Sequence, residues 1–269
     1  MLRAMAIALL AYAPPALAQA APGGPPDQVP EAPDTDDPVV IVSPYVWASS
    51  IGGNIGLAGF SAPVHLPFRE IFDHLDAVAM GNVEFAWKRG GLYVDGQYSK
   101  TSQQEQLLGV PIDMTVKITR LSGGGFYKAI VVPLGGDNAS GGVRKLSIEP
   151  TAGLRWTQLA IRADSPIARA AKKANWTDPF IGLRLNADIA RRWNLAAETD
   201  LVVGGDAHSG VNAQAYLGYR LSLGRQSTVL RLGYRYLKQD YSQPDFTGLG
   251  RFLWDTEQKG PVAGISMIF

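Results

Sequence analysis

Histidine, serine and carboxylate are the side chains on which a hydrolytic or metal site would have to rest in this chain. Its 269 residues contain no cysteine and only three histidines, His65, His74 and His208. Without a thiol there is no disulfide framework, thiolate metal site or cysteine nucleophile. A serine nucleophile and its base on one extended strand must sit two positions apart, because alternate side chains share a face. None of the three histidines has a serine so placed, and Ser209, which abuts His208, would point the other way. Nor do the histidines, all in segments that read as loops, show the close spacing of metal ligands. No catalytic residue, metal ligand or cofactor site is assigned, and the chain reads as a non-enzyme.

The second chemistry is ionic. Glu84, Asp95, Glu149, Asp178, Asp188, Glu198 and Asp200 alternate with apolar neighbours, and so do Lys88, Lys145, Arg155, Arg184, Arg220, Arg231 and Arg235. Gathered around one axis, such groups must pair, since an unpaired charge away from water is costly. Two outcomes follow: a ladder of ion pairs that fills the interior, or a narrow polar conduit whose charged rings select small solutes. Arg184, Arg220, Arg231 and Arg235 fall on sequential segments and would give a conduit a cationic wall toward anions.

The elements that must position these charges have a period of two. In "WNLAAETDLVV", Trp193, Leu195, Ala197, Leu201 and Val203 share one face and Asn194, Glu198 and Asp200 the other. "TDPFIGLRLNADI", "VNAQAYLGYRLS", "TVLRLGYRY", "KLSIEPTAGLRW", "GNVEFAWK" and "GLYVDGQY" repeat the pattern. The final "GPVAGISMIF" closes it, with Pro261, Ala263, Ile265, Met267 and Phe269 together. Each segment has the length of roughly ten residues that a tilted strand needs to cross a bilayer.

Short turns at "KRGG", "ARRW" and "LGRQ" and the longer "LGGDNASGG" alternate with larger loops near 104–111, 163–175, 204–209 and 242–257. That rhythm predicts an all-β fold, a closed antiparallel transmembrane β-barrel over residues 39–269. A soluble sandwich also alternates, but its core wants dense Val, Ile, Leu and Phe. Here the apolar face is diluted by Ala and Thr and carries Trp and Tyr near strand ends, as a lipid-facing belt does. Ten strands are counted. Eight would discard two good segments, and twelve would follow if residues 51–66 add a hairpin to the wall. Parity slips over 119–127, where a bulge is expected near Arg120–Gly124.

Ahead of the barrel, residues 1–20 read as a secretory signal peptide, with Arg3, an apolar stretch and small residues at Ala16, Ala18 and Ala20. Residues 21–38, rich in proline, glycine and acid, read as a disordered periplasmic tether. The formal net charge of +1 points away from nucleic acid as a partner.

With those features in hand, the terminal "SMIF" ending in Phe269 resembles the close of Gram-negative outer-membrane β-barrels. The resemblance implies that Phe269 is an assembly signal read by the barrel-assembly machinery. "SPYVWASSIGG", "FREIFDHLDAVAMG" and "GLYVDGQY" together resemble one family of proteobacterial outer-membrane barrels with no assigned activity. That likeness covers about residues 43–269 and speaks for architecture and a bacterial outer-membrane location, not for an activity.

Two connecting segments have patterns of their own. Phe68, Ile71, Phe72 and Leu75 recur at helical spacing after Pro67 and predict a short amphipathic helix near 67–76, at the rim or the membrane interface. "DSPIARAAKKANW" displays Arg169, Lys172 and Lys173, groups that attract lipopolysaccharide phosphates. The expected function is a structural barrel or a narrow, porin-like channel for small polar or anionic solutes, in contact with outer-membrane lipids including lipopolysaccharide. A barrel enzyme processing lipid A or phospholipid is the alternative.

Overall fold

Alternation in the sequence becomes a wall in three dimensions. The computed structural model describes residues 37–57, 60–107, 110–166, 169–223, 226–243 and 252–269, and the expected signal peptide and nearly all of the tether lie outside the described residues. Ten strands form the wall: β1 (Val39–Trp47), β4 (Leu75–Trp87), β5 (Gly90–Leu107), β6 (Val110–Tyr127), β8 (Val143–Asp164), β9 (Arg169–Ala187), β10 (Trp193–Val202), β11 (Ser209–Leu223), β12 (Gln226–Gln243) and β13 (Phe252–Ile268). Each pairs antiparallel with the next, and β1 pairs with β13 from Ile41–Ile268 to Trp47–Val262, so the sheet has no open edge there. Phe269 and Val40 exchange backbone hydrogen bonds at 2.8 and 3.1 Å and extend the closing seam.

Three further strands do not enlarge the wall. β2 (Ser50–Leu57) continues β1 beyond Ala48 and pairs with the upper part of β13, while β3 (Phe60–Leu66) pairs with β2 alone. The hairpin expected over 51–66 therefore exists, and the barrel stays at ten strands. β7 (Ile130–Asp137) likewise continues β6 and pairs with the first residues of β8. The helix α1 (Phe68–Asp73) follows β3, but it is six residues long and buries none of them. The short amphipathic helix expected near 67–76 is thus corrected to about a turn and a half with no clear apolar face, in which Ile71 is half-buried and the exposed Phe68 and Phe72 rings lie 5.7 Å apart.

The expected bulge near Arg120–Gly124 is also corrected, because β6 keeps an unbroken register with both β5 and β8. The parity slipped for a different reason. Gly124 faces inward beneath the Tyr93 ring, and a Cβ there would lie 2.7 Å from the Ala152 carbonyl and 3.0 Å from the Tyr93 hydroxyl. On the outward face Gly123 and Gly125 stand where alternation calls for apolar side chains, with Leu92 of β5 lying 3.4 Å from where a Gly125 Cβ would be, and the apolar Phe126 faces inward.

The β4–β5, β7–β8, β9–β10 and β11–β12 connections lie at one end of the barrel, here the turn end, and the β2–β3, β5–β6, β8–β9, β10–β11 and β12–β13 connections lie at the other, the loop end. β8 has 22 residues, about 70 Å of strand before tilt. A hydrocarbon layer of about 30 Å uses roughly half of that, so the wall continues well past the membrane at the loop end. Outside, Leu92, Leu154, Ile181, Leu183, Leu217 and Leu232 are exposed, with Trp87, Tyr127 and Trp193 below them toward the turns. Apolar exposure of this extent suits lipid and not water.

Candidate functional site

Inward side chains fill the barrel in layers. At the turn end Asp188 meets Arg220 at 2.6 Å and accepts hydrogen bonds from Asn194 at 3.3 Å and Asn138 at 3.2 Å. Asn138 belongs to the β7–β8 turn, which reaches over this mouth. The Ala139 amide donates to the Arg191 carbonyl at 2.6 Å, and the Ser140 hydroxyl lies 3.0 Å from that of Ser227, four strands away from β8.

One layer up, Arg184 bridges Glu84 at 2.6 Å and Glu149 at 3.8 Å, its guanidinium 4.2 Å from the centre of the Phe126 ring. Above it Arg155 binds both oxygens of Asp200 at 2.9 and 2.8 Å. Asp200 also accepts from Asn212, whose carbonyl accepts from Arg235 at 3.0 Å. Arg235 reaches the Tyr45 hydroxyl, which donates to Asp95 at 2.8 Å. Glu198 accepts from Gln214 at 2.9 Å. These groups surround a cavity of about 30 Å³, lined by Asp95, Ser122, Arg155, Glu198, Asn212 and Arg235 among others. That is room for ordered water.

The next layer is one the sequence reading missed. Arg120 is buried and donates to Gln97 at 2.9 Å and Gln239 at 2.8 Å, with no carboxylate in its hydrogen bonds. Asp178, fully buried, accepts the Ala207 amide at 2.9 Å, which fastens the β10–β11 connection over the lumen. Apolar packing closes the loop end: Leu159, Trp176, Tyr241, Phe252 and Trp254 form one buried cluster, with Trp176 and Tyr241 stacked at 4.3 Å.

Of the predicted lumen residues, Glu84, Asp95, Glu149, Arg155, Asp178, Arg184, Asp188, Glu198, Asp200, Arg220 and Arg235 enter these layers. Arg231 sits among them on β12 with its Nε lacking a hydrogen bond. Lys88 does not belong to the network and is corrected: β4 ends at Trp87, so Lys88 is the turn residue, at φ +53°, exposed, with its ammonium 5.0 Å over the Trp87 ring. Arg120 was missed because parity slips over 119–127, and the aromatic cluster because Trp176 and Tyr241 fall at strand ends, where an aromatic suits the belt as well as the interior, while Trp254 lies in the segment 242–257 that reads as a loop. A signal did exist: all three share the face of Asp178, Gln239 and Thr256.

The rim at the loop end brings together a pair that no single strand could hold. Ser242 on β12 places its Oγ 2.6 Å from Nε2 of His208, which precedes β11 and whose amide donates to the Asp240 carbonyl at 2.8 Å. His65 lies on β3 rather than in a loop, and the His74 Nδ1 donates to the Glu70 carbonyl at the end of α1. Among the described residues no His, Asp and Glu cluster suits a metal ion. On the outer wall, the hydrogen bond from Lys100, supported by one from Ser102, holds the Asp76 carboxyl below the ordinary carboxylate range.

No family model and no curated protein matches the chain. Solved structures do. The outer membrane protease OmpT from Escherichia coli aligns with a TM-score of 0.52 at 9% identity, over 87% of this chain and 97% of that one. Ail of Yersinia pestis (TM-score 0.36, 9% identity, 86% and 98% covered) and a FadL homologue of Pseudomonas aeruginosa (0.30, 9%, 86% and 90%) are too distant to carry an argument about this chain. The expectation of a non-enzyme is overturned: the fold is shared with a protease, and Ser242 reaches His208 across two strands where the sequence showed no such partner. What the wall and the likeness to OmpT establish together is the architecture of the Gram-negative outer-membrane β-barrels, closed at ten antiparallel strands.

Proposed function

We propose that the protein is a sealed barrel of the bacterial outer membrane, with its turn end in the periplasm, that acts at its outward rim and not through its lumen. One observation carries this reading: inward side chains pair in successive layers, from Asp188 with Arg220 through Arg184 with Glu84 and Arg155 with Asp200 to the buried Trp176 and Tyr241, and the cavity lined by Asp95, Arg155 and Arg235 holds about 30 Å³. Opening a path for a solute would separate the Arg155–Asp200 and Arg184–Glu84 pairs in a confined, poorly hydrated space. Purified protein inserted into planar bilayers is expected to show no stepwise conductance in simple salt. Discrete, reproducible steps would refute the proposal.

A second reading rests on the contact of His208 with Ser242. An imidazole nitrogen at 2.6 Å is placed to take the serine proton as Oγ attacks an acyl carbon, whether of a lipid ester or of a peptide. A fluorophosphonate probe on the folded protein is expected to label Ser242. The label should vanish in Ser242→Ala and slow by about a hundredfold or more in His208→Gln, the usual worth of a general base. Equal labelling of all three proteins would eliminate this reading and leave the sealed barrel intact.

A further inference from the structure

Above the apolar band, basic residues face outward on neighbouring strands. Lys100 on β5 stands directly opposite Lys117 on β6, Lys117 opposite Ala160 on β8, and Ala160 opposite Lys173 on β9. All four belong to one register row. The outward face follows from parity: the alternate side chains Gln97, Arg120, Leu159 and Ala174 are the buried, inward ones. One outward step further on, Arg162 lies opposite Thr115 and Ala171, diagonal to both Lys117 and Lys173.

Like charges directly opposed across a ladder destabilise it, and the protein's own acids answer only part of this patch. Asp76 holds Lys100 at 2.8 Å, and Asp164 holds Arg162 at 2.7 Å and Arg169 at 3.5 Å. Lys117 and Lys173 are exposed and have no ion pair among the described residues. The row lies just past Tyr98 on β5 and four residues past Trp156 on β8, where the lipid-facing surface gives way to the headgroup zone. In an outer leaflet, that zone carries phosphate.

We propose that this patch binds the phosphates of lipopolysaccharide, with Lys117 and Lys173 as the principal contacts and Lys100 and Arg162 beside them. The patch is on the wall, so it operates whether or not the lumen conducts. The basic loop expected from the sequence near Arg169–Lys173 is instead the start of β9, which puts Lys173 on this row. Ammonium–phosphate contacts are charge-assisted and short-ranged, and at the edge of a low-dielectric layer they are screened less than in open water.

The full chain folded in detergent micelles, titrated with bisphosphorylated lipid A and followed by native mass spectrometry, tests the assignment. The wild type is expected to retain lipid A, and Lys117→Glu with Lys173→Glu to bind it at least about tenfold more weakly, each lost contact being of the charged hydrogen-bond kind. Lys88→Glu, at the opposite mouth, should bind as the wild type does. Should the reversed charges prevent folding, judged by heat-modifiable gel mobility, the Lys117→Gln and Lys173→Gln pair and a salt titration of the wild type take their place, with the same loss expected. Unchanged binding in the double variant, equal retention of dephosphorylated lipid A, or full competition by inorganic phosphate at equal concentration would overturn the proposal.

Discussion

Leu232→Arg is expected to destabilise the protein folded in lipid vesicles by about 2–4 kcal/mol, the penalty for a guanidinium near the middle of a barrel's lipid face. Leu232 is 65% exposed and lies between Leu217 on β11 and Ala263 on β13, itself flanked along β12 by the outward Leu230 and Tyr234. In water such a position is indifferent: an exposed leucine that makes no special contact tolerates a charged replacement to within about 0.5 kcal/mol. In hydrocarbon it is not, because the guanidinium must snorkel to the interface or draw water and headgroups inward. Urea unfolding in thin-bilayer vesicles, followed by tryptophan fluorescence, reads the difference. A change below 0.5 kcal/mol would mean that this face meets water, and the membrane reading would fall with it.

The same residue shows why the wall was legible in the sequence and the interior was only partly so. Lipid asks one thing of an outward position, that it be apolar, and a period of two then reports the face of every residue on a regular strand. Leu230, Leu232 and Tyr234 against Arg231 and Arg235 needed no structure to be sorted. Inside, two demands compete. Near the turn end, charges must find partners on other strands; near the loop end, beyond the membrane, the lumen is packed as a soluble core is. Parity placed Asp178 inward correctly, but it could not reveal that Trp176, two residues away on the same face, would stack on Tyr241 from β12. Contacts between strands distant in sequence, such as Arg120 with Gln239, follow from closure and stagger. His208 with Ser242 is a case of the same kind: 34 residues separate them, and only the β11–β12 register makes them neighbours.

Arg155→Leu is expected to lower the unfolding free energy by about 3–5 kcal/mol, because it strands a buried carboxylate. Arg155 is 2% exposed and Asp200 1%, and the Arg155 Nη2 donates to both carboxylate oxygens, with Arg155 also donating from Nε to Ser122 at 3.3 Å and stacking 5.0 Å over Phe180. Asp200 alone would keep one hydrogen bond, from Asn212. Replacing both partners, Arg155→Leu with Asp200→Leu, removes the stranded charge and should recover most of the loss, as apolar substitutes for buried ion pairs commonly do. Recovery stops short of complete, since Asn212 and Ser122 lose their partners and a buried polar group without one costs about 1–3 kcal/mol. The two variants also divide the seal from the stability. If a single layer closed the lumen, the refolded double variant would conduct. Because the Arg184–Glu84 layer below and the Arg120–Gln239 layer above share no hydrogen bond with Arg155, it is expected to remain silent in planar bilayers while unfolding at lower urea than the wild type. Conductance in that variant would assign the whole seal to one ion pair; an unfolding curve for Arg155→Leu that matches the wild type would show that the buried pair is not formed.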